Sequence, residues 1–132
     1  MREGVIARVE LARRRRFERL VGRALDALPP AIAPMLDNVA IVVEDEPTPE
    51  QIGRRGGDGE TLFGLYEGVP LTQRDSGYTM VLPDKITIFR GPLERACRSP
   101  GEIAREVRIT IIHELGHHFG LDETRLDELG LA

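Results

Sequence analysis

Tryptophan is absent from this sequence, and aromatic rings make up 5% of it, with two tyrosines and four phenylalanines. The core must therefore rest on Leu, Ile, Val and Ala, which 132 residues can supply for one compact domain spanning 1–132. The single cysteine, Cys97, excludes an internal disulfide. With no C-x-x-C partner it reads as a buried or half-buried small apolar residue, not as a nucleophile or zinc ligand. No apolar run approaches the roughly 20 residues of a membrane span. The Arg-rich N-terminus lacks the apolar segment of a secretory signal. A cytoplasmic protein without membrane contact is expected.

Net positive charge is also lacking. The formal charge is −4, so nothing global points to nucleic acid. The distribution is uneven, however. Residues 1–30 carry eight arginines against four acids, which leaves ten basic and eighteen acidic residues in the remainder. The run Arg13-Arg14-Arg15-Arg16 falls inside a helical pattern and reads as a solvated helix face, so no nucleic-acid partner is expected.

Apolar spacing predicts a helix over Glu3–Leu28, with Val5, Val9, Ala12, Phe17, Leu20, Val21, Ala24, Leu25 and Leu28 as its stripe and Pro29-Pro30 as its stop. Strands are predicted at Asn38–Val43, Thr61–Tyr66, Tyr78–Leu82 and Lys85–Arg90 from β-branched and aromatic runs bounded by turns. Glu44–Glu60, acidic and rich in Pro and Gly, reads as a long loop. Ser99-Pro100-Gly101-Glu102 is a helix start: a capping serine, a proline at the first helical position and a glutamate three residues on. That helix should run to about Phe119 and end at Gly120, with a last short helix over Thr124–Leu129. The sum is an α+β chain.

His113-Glu114-Leu115-Gly116-His117 lies near the end of the second long helix. Four residues are just over one helical turn, so the two imidazoles share a face. The apolar stripe Ile103, Val107, Ile111, Leu115 is the buried face, and at 100° per residue Ile111 and Leu115 stand about 160° from His113. His113 and His117 can thus hold one Zn²⁺ and leave a position for water, with Glu114 placed as general base. A catalytic site needs a third protein ligand. Counting on past Gly120, the H-E-x-x-H-x-x-G-x-x-H/D spacing of metzincins falls on Glu123, and Asp122 is its rival as an oxygen ligand. His118, rotated about 100° from His117, is expected to pack near the site rather than bind metal. Tyr66 and Tyr78 could stabilise an oxyanion, although packing is the commoner use of a buried tyrosine. Ile86–Phe89 reads as an edge strand on which a peptide substrate could lie by β-augmentation.

The stretch from His113 to Glu123, together with Arg15-Arg16-Phe17-Glu18, Val42-Val43-Glu44-Asp45-Glu46-Pro47, Leu65-Tyr66-Glu67-Gly68-Val69-Pro70-Leu71 and Phe89-Arg90-Gly91-Pro92-Leu93-Glu94, resembles the minimal zincins, small bacterial zincin-like metallopeptidases. The resemblance implies a minimal zincin-like fold, in which a small mixed β-sheet packs against the N-terminal helix and the H-E-x-x-H helix. It implies Zn²⁺ as cofactor and a peptide or protein as substrate. The family pattern H-E-x-x-H-x-x-G-x-x-D carries over His113, Glu114 and His117, while its final Asp falls on Glu123. No methionine follows to make a Met-turn, and only fifteen residues come after His117. A substrate cleft must then be walled by Glu44–Glu60, by the Tyr66–Tyr78 region, or by a protein partner. The alternative is a non-catalytic zincin-like module with a weak or vestigial metal site.

Overall fold

The computed structural model describes residues 2–54, 62–68 and 83–128; the side chains of residues 2, 3, 54 and 123 lie outside that description. The predicted strand Tyr78–Leu82, the residue Tyr78 and the glycines at 56, 57 and 59 fall outside it as well.

Helix α1 spans Arg2–Asp26. It stops two residues short of the predicted Leu28, because the chain must leave helical geometry before Pro29-Pro30. Only its second half is buried. Phe17, Val21 and Ala24 are 1%, 5% and 2% exposed, whereas Val5 and Val9 of the predicted stripe are half-exposed. A 3₁₀ turn, Ala33–Leu36, follows. Asn38 then adopts φ +60°, a left-handed conformation that Asn tolerates better than most residues, and β1 starts one residue later, at Val39–Glu44.

The predicted loop Glu44–Glu60 contains a short helix, α2 (Pro49–Arg54). Thr48 Oγ1 accepts from the Gln51 N–H at 3.1 Å, and Gln51 Oε1 accepts from the Thr48 N–H at 2.9 Å. This reciprocal pair is a capping box with Pro49 at the first helical position.

Strands β2 (Gly64–Glu67) and β3 (Asp84–Phe89) complete a three-stranded mixed sheet in the order β1-β3-β2. β3 runs parallel to β1 and antiparallel to β2. This corrects the placement of Ile86–Phe89 at an edge. β3 is central, paired on both sides, and its residues 86–89 are fully buried. Among the described residues, β2 is the strand at that side of the sheet. Gly64 permits this arrangement. A Cβ there would stand 2.6 Å from the Thr110 methyl of the next long helix and 3.0 Å from the Thr87 carbonyl.

Arg90, predicted to end a strand, instead opens α3 (Arg90–Ala96). Its guanidinium binds Asp45 at 3.1 Å, Glu94 at 3.3 Å and Glu10 at 3.4 Å, tying α1 to the end of β1. Helix α4 spans Pro100–His118, and Ser99 Oγ caps it by accepting the Glu102 N–H at 3.1 Å. The Glu102 side chain reaches one residue further back than a capping box requires and accepts from the Arg98 N–H.

Val107, Ile111 and Leu115 of α4 are wholly buried and meet Phe17 and Val21 of α1 and Ile86 and Ile88 of β3 in one core. The H-E-x-x-H helix is therefore clamped between α1 and the sheet. The fold is α+β, as the order of predicted elements implied.

Candidate metal centre

The site lies at the C-terminal end of α4. His113 and His117 are both exposed, with ring centres 5.2 Å apart and planes tilted by 35°. A tetrahedral Zn²⁺ binds imidazole nitrogens at 2.0–2.1 Å, and each ring centre lies about 1 Å further out, so two rings on one metal have centres about 5 Å apart. The observed pair fits that requirement. The apolar stripe accounts for it: burying Ile111 and Leu115 turns the two histidines outward together.

Glu114 behaves differently from its neighbours. It is 3% exposed, and its Oε1 accepts a hydrogen bond from the Tyr66 N–H of β2 at 2.9 Å. A buried carboxylate needs such partners, because desolvating it unpaired costs several kcal/mol. The bond spans 48 residues of sequence and joins the helix to the strand that flanks it.

Tyr66 is fixed from two further sides. Its hydroxyl donates to Asp84 Oδ2 at 2.7 Å, and His118 stacks on its ring at 3.9 Å between centres with 14° between planes. His118 Nε2 stands 3.9 Å from the same Asp84 oxygen, and the His118 and Phe119 rings meet nearly at right angles. His118 therefore faces β2 and not the His113–His117 pair, as the helical rotation predicts. Tyr66 is half-buried and engaged in packing. Asp84 was not singled out by sequence, since no local pattern marks a residue whose partners lie 18 positions or more away.

The end of α4 is a Schellman turn. Gly120 has φ +69°, the Leu121 N–H reaches the Gly116 carbonyl at 2.7 Å, and the Gly120 N–H reaches the His117 carbonyl at 3.3 Å. Helix α5 (Glu123–Glu128) follows and returns along α4, with Leu126 against Gly116. Asp122 is the cap of α5: its Oδ1 accepts from the Arg125 N–H at 2.8 Å. Glu123 opens α5, and its side chain lies outside the described set. Among the described residues no three His, Cys, Asp or Glu side chains are grouped so as to hold a metal ion. The observed part of the centre is thus the two histidines and the adjacent buried glutamate.

Cys97 is half-buried at the end of α3. Burial pushes its thiol pKa up, with Glu102 and Glu106 adding to the effect, which suits a packing residue and not a nucleophile. Among the described residues no helix is long and apolar enough to cross a membrane.

No curated protein matches the chain. A family model does, over residues 36–131, which include the whole sheet, α4 with His113 and His117, and α5. With the fold and the histidine pair already in place, that match means that the chain belongs to the zincin-like metallopeptidase family.

Proposed function

We propose that the protein is a zinc-dependent peptidase that acts in the cytoplasm, with His113, His117 and Glu123 as metal ligands and Glu114 as general base. The observation that carries this reading is the pairing of two outward imidazoles at metal-sharing distance with a buried, strand-anchored carboxylate next to them. Histidines placed only for solubility need no such neighbour, and a glutamate placed only for solubility would not be buried.

Bound Zn²⁺ supplies Lewis acidity, which eases loss of a proton from water near neutral pH and polarises a carbonyl. The chain supplies the rest. Glu114 takes the proton from the attacking water and delivers it to the leaving amine. The Tyr66 N–H holds one carboxylate oxygen, so the base is oriented before substrate arrives. Asp84 and His118 fix the Tyr66 ring and thereby the strand that presents this N–H. An extended peptide lies alongside β2, the strand nearest the base, with a partner protein completing the far wall of the cleft. Asp122 is engaged as a helix cap, which favours Glu123 as the third ligand.

The test is hydrolysis of a quenched fluorescent peptide library by zinc-loaded protein, compared with Glu114→Gln. Zinc-dependent turnover that Glu114→Gln abolishes while keeping stoichiometric metal is the expected result. Full activity in Glu114→Gln removes Glu114 as the base. The second reading, a non-catalytic zincin-like module, is favoured by one observation: the family's final Asp is Glu at position 123. Sub-stoichiometric zinc with no turnover of any peptide in the library decides for that reading.

A further inference from the structure

The four arginines on one side of α1, which the proposed chemistry does not use, line a groove. It has a volume of about 410 Å³ and lies between the second half of α1 and the first turn of α4, with α3 at one end. Arg13, Arg16, Arg19 and Arg23 rim it, and Leu20 and Ile103 form its apolar floor. Spacings of three, three and four residues keep these arginines on one face of the helix, over roughly 15 Å of its length.

Their charge is largely uncompensated. Arg16, Arg19 and Arg23 make no ion pair among the described residues. Arg13 meets only Glu10, at 3.4 Å in an exposed pair of the kind that contributes little. The lining acid, Glu94, is bound to Arg90. By contrast Arg14, on another face of the same helix, is engaged by Glu18 and Asp45. Three of the four rim arginines thus carry no ion pair among the described residues, and the fourth has only an exposed one. The chain as a whole is acidic, so the patch is local.

We propose that this groove is a docking site for an acidic amphipathic helix of a partner polypeptide. A cationic rim over an apolar floor matches a helix that presents leucine-like residues at i, i+3, i+4 and i+7 flanked by Glu or Asp. Three turns of such a helix span the length of the arginine row. Guanidinium groups suit this role, since each binds a carboxylate through two parallel N–H donors. Nucleic acid fits less well. Phe17 is the aromatic residue of the lining, and at 1% exposure it offers no ring for a base to stack on. The site is separate from the candidate metal centre: thirteen helical steps along α4, about 20 Å of helix, separate Pro100 from His113. The proposal does not depend on hydrolysis.

The experiment is fluorescence anisotropy of the full chain, without added metal, against a labelled Glu/Leu helix about three turns long. A peptide of the same composition with scrambled Leu positions and a single-stranded oligonucleotide of equal charge serve as competitors. Binding of the patterned peptide is expected, weakened about tenfold or more by Arg16→Gln with Arg19→Gln and by raised salt. Circular dichroism checks that the variant is folded, and the scrambled-peptide comparison needs no variant at all. Absence of binding overturns the proposal, as does equal binding of the scrambled peptide or an unchanged affinity in the folded double variant. Tighter, arginine-dependent binding of the oligonucleotide overturns it in favour of nucleic acid.

Discussion

Replacing Glu114 in two ways separates its structural role from its chemical one. The carboxylate is 3% exposed and accepts the Tyr66 N–H at 2.9 Å. Glu114→Gln keeps an Oε1 at the same reach, so that N–H keeps an acceptor. The change trades a charge-assisted hydrogen bond for a neutral one and relieves the desolvation of a charge, two opposing effects of about 1 kcal/mol each. Glu114→Ala removes the acceptor. An orphaned buried N–H costs about 1–3 kcal/mol, and the truncated side chain adds a small cavity, giving about 2–4 kcal/mol in all. For a chain of this size 1 kcal/mol moves Tm by about 3–5 °C. In a chelating buffer, where bound metal cannot contribute, Glu114→Gln should melt within about 4 °C of the parent protein and Glu114→Ala about 6–20 °C below it. Both variants should lose hydrolysis by about 10²–10⁴-fold, the range of a general base. Two results refute this reasoning. If Glu114→Gln melts as low as Glu114→Ala, the bond from Tyr66 is not what holds the side chain. If zinc-loaded Glu114→Gln turns over normally, the proton is taken elsewhere.

Positions 122 and 123 can be told apart by zinc titration with melting curves: Asp122→Asn retains the α5 cap and should leave zinc affinity near the parent value, whereas Glu123→Gln should weaken it at least about tenfold, and the reverse order makes Asp122 the ligand. Gly64→Ala should cost about 1–3 kcal/mol in chemical denaturation, because its Cβ would stand 2.6 Å from Thr110; an unchanged midpoint would mean that α4 and β2 do not approach so closely. Cys97, its thiol pKa raised first by burial and then by Glu102 and Glu106, carries less thiolate at any given pH than an ordinary cysteine. Its alkylation by iodoacetamide at pH 8 should therefore be slower than that of free cysteine and should speed up on unfolding, and equal rates would show the thiol to be fully open.

What could be read from the sequence followed locality. The start of α4 was legible because Ser99, Pro100 and Glu102 act within one turn, and its end because Gly120 alone supplies the left-handed residue. The helix α2 was missed, because the Pro and Gly content of its surroundings reads as loop and hides the capping box Thr48-Pro49-Glu50-Gln51. The apolar stripe of α1 was misread at its start. Val5 and Val9 keep helical spacing with Phe17, but spacing alone does not say where a neighbour stops, and α4 covers only the second half of α1.

Position in the sheet was beyond reach for a similar reason. Alternation marks Ile86–Ile88 as strand, while centre or edge depends on which segments pair with it, and β1 pairs from more than 40 residues away.

The same division runs through the candidate site. The sequence by itself determined that His113 and His117 share a helix face and that Glu114 lies beside them, because 3.6 residues per turn is a property of any α-helix. It also determined that the buried stripe would turn that face outward. Only the tertiary structure decided that Glu114 is buried, that the Tyr66 N–H orients it, and that Asp84 and His118 hold Tyr66 in place. Those contacts join residues 18 to 52 positions apart, and they exist only once the core has pressed α4 against the sheet.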